Sequence, residues 1–302
     1  MRICLLIPCY NEAMTIAKVV EDFRRELPEA DIVVYDNNST DDTAGEAHRV
    51  GAKVVREPRQ GKGNAVRSMF RDVEADIYLM VDGDDTYPAS AVRSVLGPVL
   101  RGEADMVVGD RLSNGSYYKE NRRNFHGMGN NLVRNTVNRF FGVSLKDIMS
   151  GYRAFSRRFV KSFPVLSPGF ELETEMTLFA LHYRFRVVEV PIDFSERPEG
   201  SFSKLNTFTD GIKVVRTILN MYRHYKPLKF FGFIALLFFL GALAAGIPPV
   251  IEYVRFEYVY KVPSAILASG LAIMGMLAFV CGLVLDTITH TDRGRFEQIL
   301  KK

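Results

Sequence analysis

The chain has 302 residues, of which 47% are hydrophobic and 25% are charged. That composition is typical of a folded globular protein and excludes a disordered chain. A net charge of +4 is too small for the concentrated basic surface of a nucleic-acid-binding protein, so we expect no nucleic-acid partner. The three cysteines have no ligand spacing, which excludes a disulfide scaffold and a zinc site and fits a reducing compartment.

Strand and helix patterns alternate through the first two thirds of the chain. Strands are predicted near residues 2–7, 31–35, 52–56, 76–81, 105–110 and 186–191, and helices near 12–27, 41–50, 62–73, 89–101, 123–141 and 171–183. The strand near 76–81 is apolar almost without interruption, which indicates a sheet covered on both faces. The alternation predicts an α/β fold with a mostly parallel sheet, in a domain that spans residues 1–204.

Polar residues follow the first two strands and open the third helix. Tyr10, Asn11 and Glu12 lie just after the first strand, and Asp36 ends the second. Open α/β sheets bind ligands at the carboxyl ends of their strands, where a carboxylate such as Asp36 can accept a hydrogen bond from a nucleobase. Lys62, between two glycines, supplies a positive charge suited to phosphate, and a plain turn explains that segment equally well. A dinucleotide-binding glycine loop and a P-loop are both absent from the sequence.

Three carboxylates, those of Asp82, Asp84 and Asp85, crowd the end of the fourth predicted strand. They repel one another unless a cation neutralises them, and Asp82 and Asp84 project to the same side of an extended backbone. Hard oxygen ligands with open coordination positions suit Mg²⁺ or Mn²⁺ that bridges a diphosphate. We therefore predict a divalent cation at Asp82 and Asp84, the alternative being an acidic, solvated turn.

Two long charge-free runs mark the last part of the chain, residues 230–302. Residues 230–251 and 262–285 contain no charged side chain, and each run is long enough to cross a hydrocarbon core of about 30 Å as a helix. They predict a two-helix transmembrane hairpin, with a pair of buried core helices as the alternative. Basic residues flank the pair on both sides, which predicts an integral protein of the plasma membrane or an equivalent membrane, with both termini and the α/β domain in the cytoplasm.

Residues 205–229 connect the two parts. Apolar side chains recur there at helical spacing opposite basic ones, which predicts an amphipathic juxtamembrane helix in the plane of the lipid headgroups. A helix packed on the domain is the alternative. A homo-oligomer could form through this helix or through the transmembrane pair.

The order of the short motifs resembles that of one enzyme family. The segments P-C-Y-N-E, N-S-T-D-D-T, G-K-G and D-G-D resemble family-2 glycosyltransferases with the A-type, Rossmann-like fold. Residues 147–153 (D-I-M-S-G-Y-R) and 197–204 (R-P-E-G-S-F-S-K) are similar to segments of the polyprenyl-phosphate glycosyltransferases, a group that includes dolichol-phosphate mannose synthases. The resemblance covers about residues 2–229. The chain departs from it at residues 85–88 (D-T-Y-P), where many relatives have L-Q-x-P.

The resemblance implies a role for each matching residue. Those that would bind the donor nucleotide are Pro8, Tyr10, Asn11, Glu12, Asp36, Lys62 and Asp82. Asp82 and Asp84 would hold the metal. Asp84, Asp147 and Arg153 would be catalytic, with Asp147 acting as a base or orienting Arg153 or the acceptor. Those that would meet the acceptor phosphate are Arg197, Ser203 and Lys204; Arg122 and Arg123 are candidates for that role or ordinary surface charges.

The implied reaction moves a sugar from a nucleoside-diphosphate sugar, with UDP-glucose or UDP-N-acetylglucosamine favoured, to undecaprenyl or dolichyl phosphate at the cytoplasmic membrane face. A single displacement would invert the anomeric configuration, and the metal would stabilise the leaving diphosphate. The acceptor monoester is mostly a dianion at neutral pH, because its second pKa is about 6. A strong general base is therefore less necessary than it is for an alcohol.

Two alternatives stay open at this point. One is a transferase that adds a sugar to a lipid-linked oligosaccharide, and the other is a non-catalytic membrane partner with an inactive transferase domain. Processive polysaccharide synthases resemble the same domain, but they carry a Q-x-x-R-W segment and this chain has no tryptophan.

Overall fold

The computed structural model describes residues 1–114, 124–169, 171–195, 197–198, 219–220 and 222–300, with the backbone alone at 124–130 and 299. The chain divides into two compact units, Met1–Val214 and Val215–Lys302. The domain boundary predicted at residue 204, and most of the amphipathic helix predicted over 205–229, lie outside the described residues and stay predictions.

The first unit alternates strands and helices. The strands are β1 (Ile3–Cys9), β2 (Asp31–Asp36), β3 (Lys53–Arg56), β4 (Ile77–Met80), β5 (Met106–Asp110), β6 (Arg153–Ser156) and β7 (Val187–Pro191). The helices described are α1 (Ile16–Glu26), α2 (Thr43–Arg49), α3 (Lys62–Asp72), α4 (Val92–Leu100), α5 (Asn124–Phe141), α6 (Arg157–Ser162) and α7 (Leu172–His182), and a short 3₁₀ turn, Ala89–Ala91, precedes α4.

The seven strands form one sheet in the order β3-β2-β1-β4-β6-β5-β7. Every neighbouring pair is parallel except those of β6, which runs antiparallel to both β4 and β5. The predicted α/β fold with a mostly parallel sheet is confirmed. Strand β6 was not predicted from the sequence; it is four residues long and begins at Arg153, the last residue of the D-I-M-S-G-Y-R motif.

The core explains why these segments pair. All seven residues of β1 are buried, so the strand has helices on both of its faces, as a parallel sheet requires. Helix α1 buries Ile16, Val19, Val20 and Phe23, which recur at helical spacing, and leaves its charged side chains outside. These contacts fix β1 in the middle of the sheet.

The register aligns the carboxyl ends of three neighbouring strands. Cys9 at the end of β1 lies beside Asp36 at the end of β2, and Leu6 of β1 pairs with Met80 at the end of β4. The loops that follow these strands therefore start from one edge of the sheet, where α/β proteins bind their ligands.

The second unit contains two long helices, α8 (Pro227–Phe256) and α9 (Val262–Ile299). They pack as an antiparallel hairpin: Gly246 of α8 approaches Ala268 of α9, and Gly282 of α9 approaches Phe231 of α8. Both helices are long and apolar enough to cross a membrane, and both extend past the predicted spans 230–251 and 262–285.

Candidate active site

The loops after β1 and β2 are joined by hydrogen bonds. The Asn11 backbone N–H donates to the Ser39 hydroxyl at 2.9 Å, and the Asn11 side-chain oxygen accepts from the Thr40 N–H at 2.8 Å. Asn11 has a φ of 54°, a left-handed conformation that asparagine tolerates better than most residues. Asp36 is buried and accepts from the Ser39 N–H at 3.2 Å. Asn11 and Asp36 therefore meet in one polar cluster at the sheet edge.

The start of α3 is attached to the same edge. Asn37 donates to the Arg59 carbonyl at 2.6 Å and accepts from the Gly61 N–H at 2.7 Å. The Gly63 N–H donates to the Pro168 carbonyl at 3.0 Å, and a Cβ at Gly63 would lie 1.8 Å from the Ser167 carbonyl oxygen. Only glycine permits this approach of two backbones, which fixes the position of the adjacent Lys62.

Lys62 bridges two carboxylates. Its Nζ lies 2.5 Å from Asp82 Oδ1 and 2.6 Å from Glu173 Oε1. Burial alone would lower the pKa of Lys62, but the two carboxylates outweigh that effect and hold it above its ordinary value. Lys62 is thus a fixed positive charge beside Asp82.

Asp84 is buried between a cation and a hydroxyl. Arg197 Nη2 lies 2.6 Å from Asp84 Oδ2, and the Thr86 hydroxyl donates to Asp84 Oδ1 at 2.6 Å. Burial and the neighbouring Asp82 charge raise the pKa of Asp84 above its ordinary value. Arg197, predicted to meet the acceptor phosphate, therefore contacts a predicted metal ligand.

Side chains of the protein balance all three carboxylates after β4. Asp82 pairs with Lys62, Asp84 pairs with Arg197, and Asp85 pairs with Lys18 at 2.8 Å. The crowding of carboxylates therefore does not by itself require a metal ion, which corrects that part of the sequence argument.

The donor set still fits a divalent cation. In the part of the chain that the structure describes, no three His, Cys, Asp or Glu side chains come together as metal ligands. Mg²⁺ is commonly bound through one or two carboxylates together with substrate phosphates. Asp82 and Asp84 supply that number of carboxylates, so a cation at this position would take its remaining ligands from a diphosphate and water.

Asp147 pairs with Arg111, an arginine outside the motifs recognised in the sequence. Arg111 Nε lies 2.7 Å from Asp147 Oδ2, and Arg111 Nη2 lies 2.9 Å from Oδ1. Burial would raise the pKa of Asp147, but the Arg111 guanidinium and backbone N–H donors lower it below its ordinary value. A carboxylate held in this way is a weak base, and it orients Arg111 rather than Arg153.

Arg153 lies in the protein core. Its side chain is fully buried, and it donates to the Ile148 carbonyl at 2.7 Å, to the Ser150 carbonyl at 2.8 Å and to the Thr177 hydroxyl at 3.0 Å. A group enclosed in this way cannot touch a substrate. The catalytic role predicted for Arg153 is therefore replaced by a structural one, which is to hold the 147–151 segment.

The other predicted residues divide into described and undescribed ones. Pro8 is buried in β1 beside Tyr35, and Tyr10 and Glu12 are partly exposed at the edge. Glu12 Oε1 lies 3.9 Å from Arg197 Nη1, so the first loop reaches the same cluster. Arg122, Arg123, Ser203 and Lys204 lie outside the described residues, and their roles stay predictions.

Sequence comparison identifies the family of this chain. The model of glycosyl transferase family 2 matches residues 4–163. The chain belongs to this family. It is 33% identical over 308 residues to glycosyltransferase AglJ of Haloferax volcanii, covering 98% of this chain and 97% of that protein. It is 29% identical to an undecaprenyl-phosphate mannosyltransferase of Micrococcus luteus, covering 71% of this chain and 92% of that protein.

The fold of this family 2 glycosyltransferase also matches solved structures. Glucosyl-3-phosphoglycerate synthase of Mycobacterium tuberculosis, crystallised with Mn²⁺ and UDP-glucose, superposes with a TM-score of 0.59 at 22% identity. The match covers 73% of this chain and 78% of that one. At this level of identity the likeness shows the fold alone.

Three residues of the glycosyltransferase site were missed in the sequence. Arg111 directly follows Asp110, the last residue of β5. Its position at a strand end, like that of Asp36, could have marked it as a site residue. Glu173 opens α7, and its pairing with Lys62 joins residues 111 positions apart, a distance over which the sequence carries no signal. Tyr87 lies in the segment that departs from the family pattern. Its hydrogen-bond partners, Arg111 and Gly151, are distant in the sequence and could be identified only in the folded chain.

Proposed function

We propose that this enzyme transfers a hexose from a nucleoside-diphosphate sugar to a polyprenyl phosphate, undecaprenyl or dolichyl phosphate, with inversion at the anomeric carbon. UDP-glucose and UDP-N-acetylglucosamine are the favoured donors. Support comes from relatives named dolichyl-phosphate hexose transferase, undecaprenyl-phosphate mannosyltransferase and polyprenol monophosphomannose synthase, which match about two thirds to three quarters of this chain.

The donor would bind at the edge formed by β1, β2 and β4. Asp36 and Asn11 lie where a nucleoside would be bound, and Lys62 and Asp82 lie farther along the same edge. Lys62 is held by two carboxylates, so its ammonium group is fixed before the diphosphate arrives. A hydrogen-bonding group that is fixed in advance, such as this ammonium, needs little rearrangement when the diphosphate binds.

Asp82 and Asp84 would hold Mg²⁺ or Mn²⁺ against the diphosphate. When bound, the cation supplies positive charge to the leaving diphosphate. Arg197 occupies Asp84 Oδ2, and we propose that it exchanges this carboxylate for the acceptor phosphate during the reaction.

The Arg197–Asp84 contact is the observation that carries the acceptor assignment. Arg197 begins the R-P-E-G-S-F-S-K segment, which precedes the apolar helices in the sequence, and its guanidinium lies 2.6 Å from the predicted metal ligand. Arginine binds phosphate through two parallel N–H donors, so the same group can bring a lipid phosphate to this carboxylate cluster. The bound phosphate is already mostly a dianion, which agrees with the lowered pKa of Asp147, a poor base.

The membrane assignment rests on α8 and α9, which are long and apolar enough to span a bilayer. We propose that both helices cross the membrane with the catalytic unit on the cytoplasmic face. A soluble catalytic unit tied to a hairpin in this way would meet a polyprenyl phosphate at the headgroup level, where the charged end of that lipid lies.

The direct test incubates membranes containing the full-length protein with a panel of nucleotide sugars and polyprenyl phosphate. The expected product is a polyprenyl monophosphate hexose, which mass spectrometry identifies. NMR should show that its anomeric configuration is inverted relative to that of the donor sugar. Arg197→Ala should raise the KM for the lipid more than the KM for the nucleotide sugar, whereas Arg93→Ala, which removes a surface pair with Glu29, should change neither.

Other outcomes would contradict the proposal. Transfer only to a lipid-linked oligosaccharide would move the enzyme to that acceptor class. Nucleotide binding without metal and without any transfer would indicate an inactive domain.

A further inference from the structure

Tyr87 is fixed between the metal-motif loop and the rest of the site. It follows Asp84 by three residues and is only 6% exposed. Its ring packs against Tyr152, with centroids 5.5 Å apart, and edge-on against Phe194 at 5.7 Å. The backbone carbonyl of the neighbouring Thr86 accepts a hydrogen bond from the Ser195 N–H at 3.1 Å. This bond connects the turn to the segment that precedes Arg197.

The Tyr87 hydroxyl joins two separate parts of the site. Its oxygen accepts the Gly151 N–H at 2.9 Å and lies 3.4 Å from its second donor, Arg111 Nη1. Gly151 lies directly beside the carboxylate of Asp82. A Cβ added at residue 151 would lie only 2.5 Å from Asp82 Oδ2, so no larger residue fits there without a shift. The Arg111 guanidinium holds Asp147 through two hydrogen bonds. One oxygen atom thus sets the positions of the groups that contact Asp82 and Asp147.

From this geometry we propose that Tyr87 is a positioning residue for transfer, because its hydroxyl holds Gly151 against Asp82 and Arg111 against Asp147. This inference rests on the proposed function, in which Asp82 would help to hold the cation that binds the donor diphosphate. Tyr87 does not contact the reacting atoms itself, and its effect passes through the backbone of the 147–151 segment and the guanidinium of Arg111.

Tyr152 supplies a matched control in the same aromatic cluster. It is fully buried, whereas Tyr87 is nearly so, and it packs against Tyr87 and edge-on against Phe23 at 5.8 Å. Its hydroxyl has no hydrogen-bond partner among the described residues. Tyr152→Phe therefore removes a buried hydroxyl and no hydrogen bond, whereas Tyr87→Phe removes the same group and two hydrogen-bond acceptor interactions.

The test compares full-length Tyr87→Phe and Tyr152→Phe proteins in two independent measurements. Hydrogen–deuterium exchange of the Gly151 amide should become faster in Tyr87→Phe and stay as in the wild type in Tyr152→Phe. The kcat for hexose transfer should fall in Tyr87→Phe by on the order of 10- to 100-fold, the loss that follows a misplacement of reacting groups by about 1 Å. Thermal melting of both variants shows whether they are folded.

Each outcome decides between the alternatives. Slower transfer and faster Gly151 exchange in Tyr87→Phe alone support the positioning role. Unchanged Gly151 exchange, or an equal fall of kcat in both variants, would overturn it and leave Tyr87 as an ordinary core residue. If the wild-type protein transfers nothing to polyprenyl phosphate, the proposed function fails, and the exchange measurement still decides whether Tyr87 holds Gly151.

Discussion

The α/β unit and the helical hairpin differ in how far their apolar side chains are exposed. Leu5, Leu6 and Ile7 of β1 are fully buried, whereas Leu243 of α8 is 61% exposed and Val254 is 76% exposed. In water the burial of apolar surface drives folding, and the first unit follows that rule. Lipid chains are as apolar as leucine, so a hairpin in a bilayer needs no apolar core of its own. This contrast is what the proposed membrane location of the hairpin predicts, with water around the first unit and lipid around the second.

Their charged groups differ in the same way. The α/β unit buries charged side chains in pairs, such as Lys62 with Glu173 and Arg111 with Asp147. In the hairpin, Glu252 pairs with Lys261 at the turn between the two helices. Chemistry and pH sensitivity should therefore belong to the first unit, and close helix packing should determine the stability of the second. Three substitutions test this division.

The largest effect is expected from Asp84→Asn. It keeps the shape of the side chain and removes the buried charge that pairs with Arg197, so transfer should fall by on the order of 10²–10³-fold while the protein stays folded. Asp85→Asn is the matched control, because Asp85 pairs with Lys18 on α1 and should leave turnover nearly unchanged. Turnover and thermal melting are measured together. Normal turnover of Asp84→Asn at saturating Mn²⁺ would exclude Asp84 as a metal ligand.

A smaller effect, on stability, is expected from Glu57→Gln. Glu57 accepts three hydrogen bonds from Arg59, between 2.9 and 3.1 Å, and another from the Ser68 hydroxyl. The Arg59 guanidinium is the main cause that lowers the pKa of Glu57 to about 2. The variant should lower the free energy of unfolding at pH 7 by about 2 kcal/mol, within the range for hydrogen bonds to charged groups.

The pH dependence of that difference follows from the sign of the shift. A folded-state pKa below the unfolded one stabilises the fold above the unfolded pKa, and the stabilisation disappears as the pH falls through the folded pKa. The gap between wild type and Glu57→Gln in urea unfolding should therefore shrink between about pH 4.5 and pH 2. Glu29→Gln, at an exposed pair with Arg93, is the control and should have little effect. A gap that persists at pH 2 would contradict the ionic explanation.

The smallest effect is expected in the hairpin, from Gly282→Ala. A Cβ at Gly282 would lie 2.9 Å from Phe231 Cβ and 3.5 Å from Leu228 Cα, so α8 and α9 would have to separate slightly. The cost should be about 1 kcal/mol, the lower end for overpacking. Gly270→Ala is the control, since nothing lies within 4 Å of its Cβ position. Helix loss during detergent titration measures the hairpin, and an equal effect of both variants would exclude the packing explanation.

The sequence predicted the regular part of the fold well, because hydrophobic periodicity is a local signal. The strand ends at Cys9, Asp36 and Met80 lie within three residues of the predicted ones. Helix α1 begins at Ile16 rather than near residue 12, since Thr15 donates to the Gly83 carbonyl at 2.6 Å and the chain before it forms a turn. Strand β6 was missed because its four residues carry no period long enough to recognise.

The candidate site was only partly predictable, because motifs name residues and not their partners. Asp82 and Asp84 could be selected from their place after an apolar strand, but Lys62 and Arg197 as their counter-charges could not, since they come from distant segments. The same limit explains Arg153, which looked like a catalytic cation in its motif. The surroundings of Arg153 depend on how β5, β6 and α7 pack together. In the folded chain its guanidinium faces two carbonyl groups and one hydroxyl group rather than the solvent.

The length of α9 has a consequence for the end of the chain. The charge-free part of this helix ends at Leu285, and fourteen more residues continue it to Ile299, a distance of about 21 Å at about 1.5 Å per residue. In the proposed orientation this stretch is a polar stalk of about four turns that leaves the bilayer as an unbroken helix. Thr287, Thr289 and Thr291 each donate a hydroxyl hydrogen bond to the carbonyl four residues earlier, which keeps those groups satisfied at the lipid boundary. A probe attached at the carboxyl terminus would therefore report on the aqueous phase well beyond the headgroups.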